Sequence, residues 1–235
     1  MAINRTRWRV FKHAVRAAAA EYRWSRKPQP VPPTPDRPEP HDDFADVVQA
    51  IQRFGGEHYD LPSAGPSSEA LAGWDAVGWL DAYAPFDRIM FTADGEDLAE
   101  ELVEEWLACL APALEHYGLP LTVETIDSSG LSERRADEGD YVLMINGVRC
   151  QIWEGAEWDY DAEPPWDPWL VATLRPLALI NALLAASGSS VRAHVIRAGG
   201  NDAVVILIDP KLVEAMRHSG EYPESAIPVI VAEAP

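Results

Sequence analysis

Over residues 153–169 the chain reads WEGAEWDYDAEPPWDPW, which brings together four tryptophans, Tyr160 and the carboxylates Glu154, Glu157, Asp159, Asp161, Glu163 and Asp167, without a single Lys or Arg. Three chemistries use residues of these types. Asp159, Asp161 and Glu163 alternate as at the opening of an EF-hand calcium loop. That loop is excluded, because its sixth position needs Gly and its twelfth a bidentate Glu, and Pro164 and Leu170 stand there. Paired carboxylates beside indoles also suit a sugar, with its rings stacked on Trp and two acids flanking the glycosidic bond. Spatial separation decides that reading. The third chemistry is recognition of a basic protein: Trp and Tyr bury much area at low rotamer entropy, while carboxylates steer and select an Arg- or Lys-rich surface.

Against these stands a purely architectural reading, in which Trp153, Trp166 and Trp169 are core anchors where a strand hands over to a helix. It accounts for both ends of the stretch. Residues 154–163, centred on Trp158 and Tyr160, are left without an architectural reason.

Other local signatures are missing from the sequence, among them HExxH, the P-loop, GxGxxG and GxSxG. No catalytic residue is therefore nominated. Metal-type ligands cluster only at His41 with Asp42 and Asp43, and at His58 with Glu57 and Asp60. Both groups sit at a helix start or in a loop, where acids serve as caps, so neither a metal nor a cofactor is expected. Cys109 and Cys150 make no CxxC or finger spacing. They read as two small core residues, one on the apolar side of a helix and one in a strand, which fits a reducing, cytoplasmic setting.

Charge is distributed very unevenly. The whole chain carries −19, but residues 1–27 hold eight Lys or Arg against Glu21, a balance of +7, which leaves −26 for residues 28–235. An acidic body of this kind repels phosphate backbones, so nucleic acid is not expected on it. Residues 6–24 place Trp8, Phe11, Val15, Ala18 and Tyr22 at helical spacing among basic residues, a pattern suited to an anionic membrane surface, an acidic protein or a removable targeting peptide. Residues 28–40 contain seven prolines and read as an extended spacer. The expected organisation is a basic leader (1–27), a Pro-rich linker (28–40) and one acidic domain (41–235). The sequence has no apolar run of about 18 residues to span a membrane.

The elements that must position the acidic stretch follow from periodicity. A helix is expected from Asp42 to the Gly55–Gly56 pair, a second over 68–83 and a strand over 86–91. Residues 95–117 predict one long helix, with Leu98, Leu102, Trp106, Cys109, Leu110, Ala113 and Tyr117 on one side and Asp97, Glu100, Glu101, Glu104 and Glu105 on the other. Between Arg88 and Arg134 no cation stands to compensate those acids. A strand over 121–126 comes next. Asn146 and Gly147 then predict a type I′ turn joining strands 141–145 and 148–153. Asp167–Pro168 and Asp209–Pro210 are cap-then-proline starts for helices 168–186 and 210–219, with strands 191–197 and 203–208 between them. Residues 227–231 predict a last strand.

Helix 95–117 with strands 121–126 and 141–145 is echoed by helix 168–186 with strands 191–197 and 203–208. This predicts an α+β fold: a mainly antiparallel sheet with helices on one face, built from two tandem αββ units sharing that sheet. The function that fits best is a non-catalytic acidic interaction protein binding a basic protein partner, of inhibitor or immunity type. Its expected contact residues are Glu154, Glu157, Trp158, Asp159, Tyr160, Asp161 and Glu163, with Glu101, Glu104 and Glu105 from the acidic helix. The alternatives are a carboxylate-dependent hydrolase or glycan-active enzyme, and a membrane-peripheral or scaffold protein tethered by residues 1–27.

Overall fold

Residues 203–208, AVVILI, are apolar at every position, so a strand made from them must be covered on both faces. The computed structural model describes residues 44–63, 65–66, 75–84, 89–128, 139–157 and 166–232, all within the compact unit Asp42–Pro235. In it Ala203, Val205 and Leu207 enter one hydrophobic core, and Val204, Ile206 and Ile208 enter or line a second.

In chain order the elements are α1 (Phe44–Ala50), continued by a π-helical turn (Ile51–Gly55), α2 (Asp75–Asp81), β1 (Met90–Ala93), α3 (Gly95–Ala99) and α4 (Val103–His116). There follow β2 (Val123–Asp127), β3 (Tyr141–Ile145), β4 (Val148–Trp153), α5 (Pro168–Ala186), β5 (Arg192–Ile196), β6 (Ala203–Ile208), α6 (Pro210–Ser219) and β7 (Val229–Ile230). The strands form two antiparallel sheets, in the orders β1-β6-β5-β7 and β2-β3-β4. The protein is α+β.

The local start and stop signals act as their chemistry demands. Asn146 (φ 49°) and Gly147 (φ 76°) make the turn that sets Ile145 opposite Val148. Asp167 caps α5 by accepting the N–H groups of Trp169 and Leu170, both at 3.1 Å, and Asp209 caps α6 by accepting that of Lys211 at 2.9 Å. Among the described residues α5 alone is long and apolar enough to cross a membrane, with a mean hydropathy of 1.6. Its Ala172, Leu177, Ile180 and Leu184 are buried in the first core.

Several expectations are corrected. The two αββ units do not share a sheet. Strands β2 and β4 carry Glu124, Asp127, Arg149 and Gln151, so they suit a sheet with one solvated face, whereas β5 and β6 recruit β1 and β7 around a buried centre. Nor are helices confined to one face of the four-stranded sheet: α1, α2 and α6 build the core on its Ile206 side, and α4 and α5 build the core on its Leu207 side.

The long helix 95–117 is two helices. After α3 the Glu101 N–H donates to the Leu98 carbonyl and the Leu102 N–H to that of Asp97, which closes a Schellman motif with Glu101 at φ 71°. The restart at Val103 resets the wheel. Val103, Leu107, Leu110 and Leu114 now face the core, while Leu102 is 42% exposed and Cys109 is exposed rather than a core residue. Cys150 is buried as expected, and burial pushes its thiol up to about 11. Helix 68–83 is represented by α2, with 67–74 outside the described residues, and β1 begins at Met90, with 85–88 likewise outside. The leader and the Pro-rich linker lie outside them as well.

Candidate functional site

Strand β4 ends at Trp153, whose fully buried indole packs on the Tyr141 ring at 4.9 Å and meets Trp166 edge-on at 6.3 Å. These rings close the base of the acidic stretch from both sides. Half-buried Trp169 meets α3 through its Cβ: a Cβ on Gly95 would fall 2.8 Å from it, so only glycine lets α3 approach the start of α5. For Trp153 and Trp166 the architectural reading is the one the packing supports.

Between them the stretch leaves β4 through a short 3₁₀ turn, Gly155–Glu157. The Gly155 N–H donates to Asp140 Oδ1 at 3.1 Å, and the Glu154 N–H to Glu157 Oε2 at 3.0 Å. Arg175, reaching across from α5, grips the turn. Its Nη1 donates to the Ile152 carbonyl at 2.9 Å and to Glu157 Oε2 at 2.8 Å, and its Nη2 to Glu157 Oε1 at 2.7 Å. Such a fork on a carboxylate gives direction as well as attraction. It holds the Glu157 carboxyl below its usual range against partial burial, and raises the guanidinium in turn.

The acids of the helical region have separate fates. Glu104 Oε2 accepts the Thr125 N–H at 2.9 Å and the Thr125 hydroxyl at 2.6 Å, clipping α4 to the edge strand β2. Glu101 occupies the left-handed corner between α3 and α4, and its carbonyl accepts the Tyr141 hydroxyl at 3.0 Å. Glu105 is exposed, as is Glu154 at the end of β4. Trp158, Asp159, Tyr160, Asp161 and Glu163 lie outside the described residues.

Tyr141 joins the two acidic regions. Its ring lies on Trp153 and its hydroxyl on Glu101. Burial, chiefly, and the charges of Glu101, Glu105 and Glu104 push the phenol well above its ordinary range, so it remains a neutral donor. The structure thus brings Glu101, Glu104 and Glu105 to the end of the three-stranded sheet from which the acidic stretch departs.

No family model matches the chain, and no curated protein or solved structure is significantly similar to it.

Tyr141, Asp140 and Arg175 were not among the residues nominated from the sequence. Arg175 had a visible signal, being the only charged residue within the apolar helix 168–186. Tyr141 and Asp140 had none, since their partners lie in other elements. Among the described residues no three His, Cys, Asp or Glu side chains gather as a metal-holding group.

Proposed function

We propose that the acidic domain binds a basic protein partner, as an inhibitor or immunity factor does, through the end of the three-stranded sheet that carries Glu101, Glu105 and Glu154, with Trp158, Asp159, Tyr160, Asp161 and Glu163 as further contacts. The observation that carries this reading is the charge of −26 on residues 28–235. Opposite charge raises encounter rates and selects partners, and aromatic side chains supply the buried area that holds them. The reading gives this face no catalytic task. It divides the nominated acids: Glu104 and Glu157 hold the platform, while exposed Glu105 and Glu154 meet the partner. A cytoplasmic, reducing setting belongs to the same proposal, on the strength of two free thiols.

Affinity capture on the full chain, followed by salt titration of the purified pair, tests it. The expected partner is basic, and its affinity falls roughly tenfold or more between low and physiological salt and again in a Glu105→Gln, Glu154→Gln double variant. An acidic partner, or binding indifferent to salt and to both substitutions, would sink the proposal.

A further inference from the structure

Ser190 lies in the loop between α5 and β5, two residues beyond Gly188, and His58 lies just past the π-helical turn. Separated by 132 positions in sequence, they meet with His58 Nε2 3.0 Å from Ser190 Oγ. The hydroxyl is exposed and the imidazole half-buried. This is the distance at which an imidazole can take a hydroxyl proton.

The imidazole has a built wall. Tyr117, at the end of α4, meets it edge-on at 5.7 Å, and Tyr59 does so at 6.4 Å. The Tyr117 hydroxyl donates to the Tyr59 hydroxyl at 3.4 Å, and the Tyr59 hydroxyl donates to the Leu207 carbonyl at 3.3 Å. Burial pushes Tyr59 well above its ordinary range and Tyr117 up to about 12, so both phenols stay protonated and hold this geometry. Three titratable groups act on His58 electrostatically: Asp209 between β6 and α6, Glu57 beside it, and His116 at the end of α4. Burial keeps the ring below its ordinary value, helped by His116 and opposed by the two acids. It is therefore neutral at pH 7, and in the tautomer with its proton on Nδ1 it accepts at Nε2.

We infer that Ser190 and His58 form a nucleophile and base that take an acyl group from a small, uncharged, activated ester. As Ser190 Oγ bonds the acyl carbon, its proton passes to His58 Nε2. The tetrahedral adduct collapses, the bond to the leaving oxygen breaks, and that oxygen takes the proton from the imidazolium. Water then attacks acyl-Ser190 while His58 takes a proton from it. Oγ leaves and recovers that proton, so that ester and water become acid and alcohol. The negative charges of Asp209 and Glu57 favour the imidazolium formed in each half-reaction. The acidic body disfavours anionic substrates. None of the residues of the acidic face takes part.

The test incubates the full chain with p-nitrophenyl acetate and maps acetylated peptides by mass spectrometry. Ser190→Ala and His58→Gln serve as variants, with circular dichroism to check their folding. The expected result is acetyl on Ser190, formed at least about tenfold faster than p-nitrophenol release by either variant. The rate should rise with pH through one ionisation below 6.5, the ordinary imidazole value. Absence of acetyl on Ser190, release unchanged in Ser190→Ala, or a rate rising only in the lysine or tyrosine range would overturn the assignment. If His58→Gln fails to fold, the Ser190→Ala comparison and the pH profile still decide.

Discussion

The two αββ units run in the same order but have different surroundings. In the first, α4 opens with Glu104 and Glu105, and β2 alternates between partly buried and exposed positions. In the second, α5 is nineteen residues long with Arg175 as its one charge, and β6 is buried at every position except Val204. The order of helix and strands therefore does not decide a unit's role. The number of apolar faces does: strands apolar on both sides become the centre of a covered sheet, and strands apolar on one side leave a face for surface chemistry. The candidate site lies at the end of the half-solvated sheet, while the second unit supplies Arg175 to hold it.

The largest expected effect strikes the second unit. Asn181 is fully buried in α5; its Nδ2 donates to the Ala193 and Val231 carbonyls, each at 2.9 Å, and its Oδ1 accepts the Ala193 N–H at 2.7 Å. Asn181→Ala leaves three buried backbone groups without this partner and should cost about 4 kcal/mol in urea unfolding. A loss under about 1 kcal/mol would mean that the buried unit tolerates polar damage as a surface does, and the contrast would fail.

A second effect distinguishes the units by pH. His194 in β5 has its Nδ1 2.9 Å from the Arg192 carbonyl, with Asp209 opposing and Arg192 and Arg217 reinforcing the downward shift that burial imposes, to about 4 from 6.5. Between those values the unfolded chain binds more protons. Stability from this group is thus fully present above pH 6.5 and is lost as pH falls towards 4, by up to about 3 kcal/mol. Unfolding followed between pH 7 and 4.5, above most carboxylate titration, should show the decline, and His194→Leu should flatten it. An equal slope in that variant would assign the decline elsewhere.

The smallest effect belongs to the first unit. Glu101 holds a left-handed conformation that favours glycine. Glu101→Gly should raise stability by about 0.5–1 kcal/mol, while Glu101→Gln should leave it within about 0.5 kcal/mol. If both weaken partner binding alike, the carboxylate matters to recognition. If only the glycine variant does, the backbone corner matters instead.

Much of the fold was readable along the chain because its signals are local. Asn146–Gly147 needs only its own φ preferences, and Asp167–Pro168 and Asp209–Pro210 need only the following N–H groups. The break at Glu101 was not readable, since a glutamate gives no sign of a left-handed corner; the stop is enforced by register, with Leu98 and Val103 both drawn into the core. Cys109 was misplaced because the wheel drawn through the break is turned in α4: Leu110, Ala113 and Tyr117 stay on the buried side as expected, while Cys109 moves out and Val103, Leu107 and Leu114 move in.

The candidate site divides in the same manner. Sequence alone determined its composition: an acidic body, an uncompensated run of glutamates, and tryptophans flanking residues 154–163. It also determined that β3 and β4 would be antiparallel neighbours, because the Asn146–Gly147 turn joins them within two residues. Only the tertiary structure decided that Glu104 and Glu157 are held internally while Glu105 and Glu154 face solvent, and that Tyr141 draws the two acidic regions to one end of a sheet. Only it brought His58 to Ser190. Charge and local conformation are properties of the residues themselves, whereas the partner a side chain finds depends on how distant elements pack.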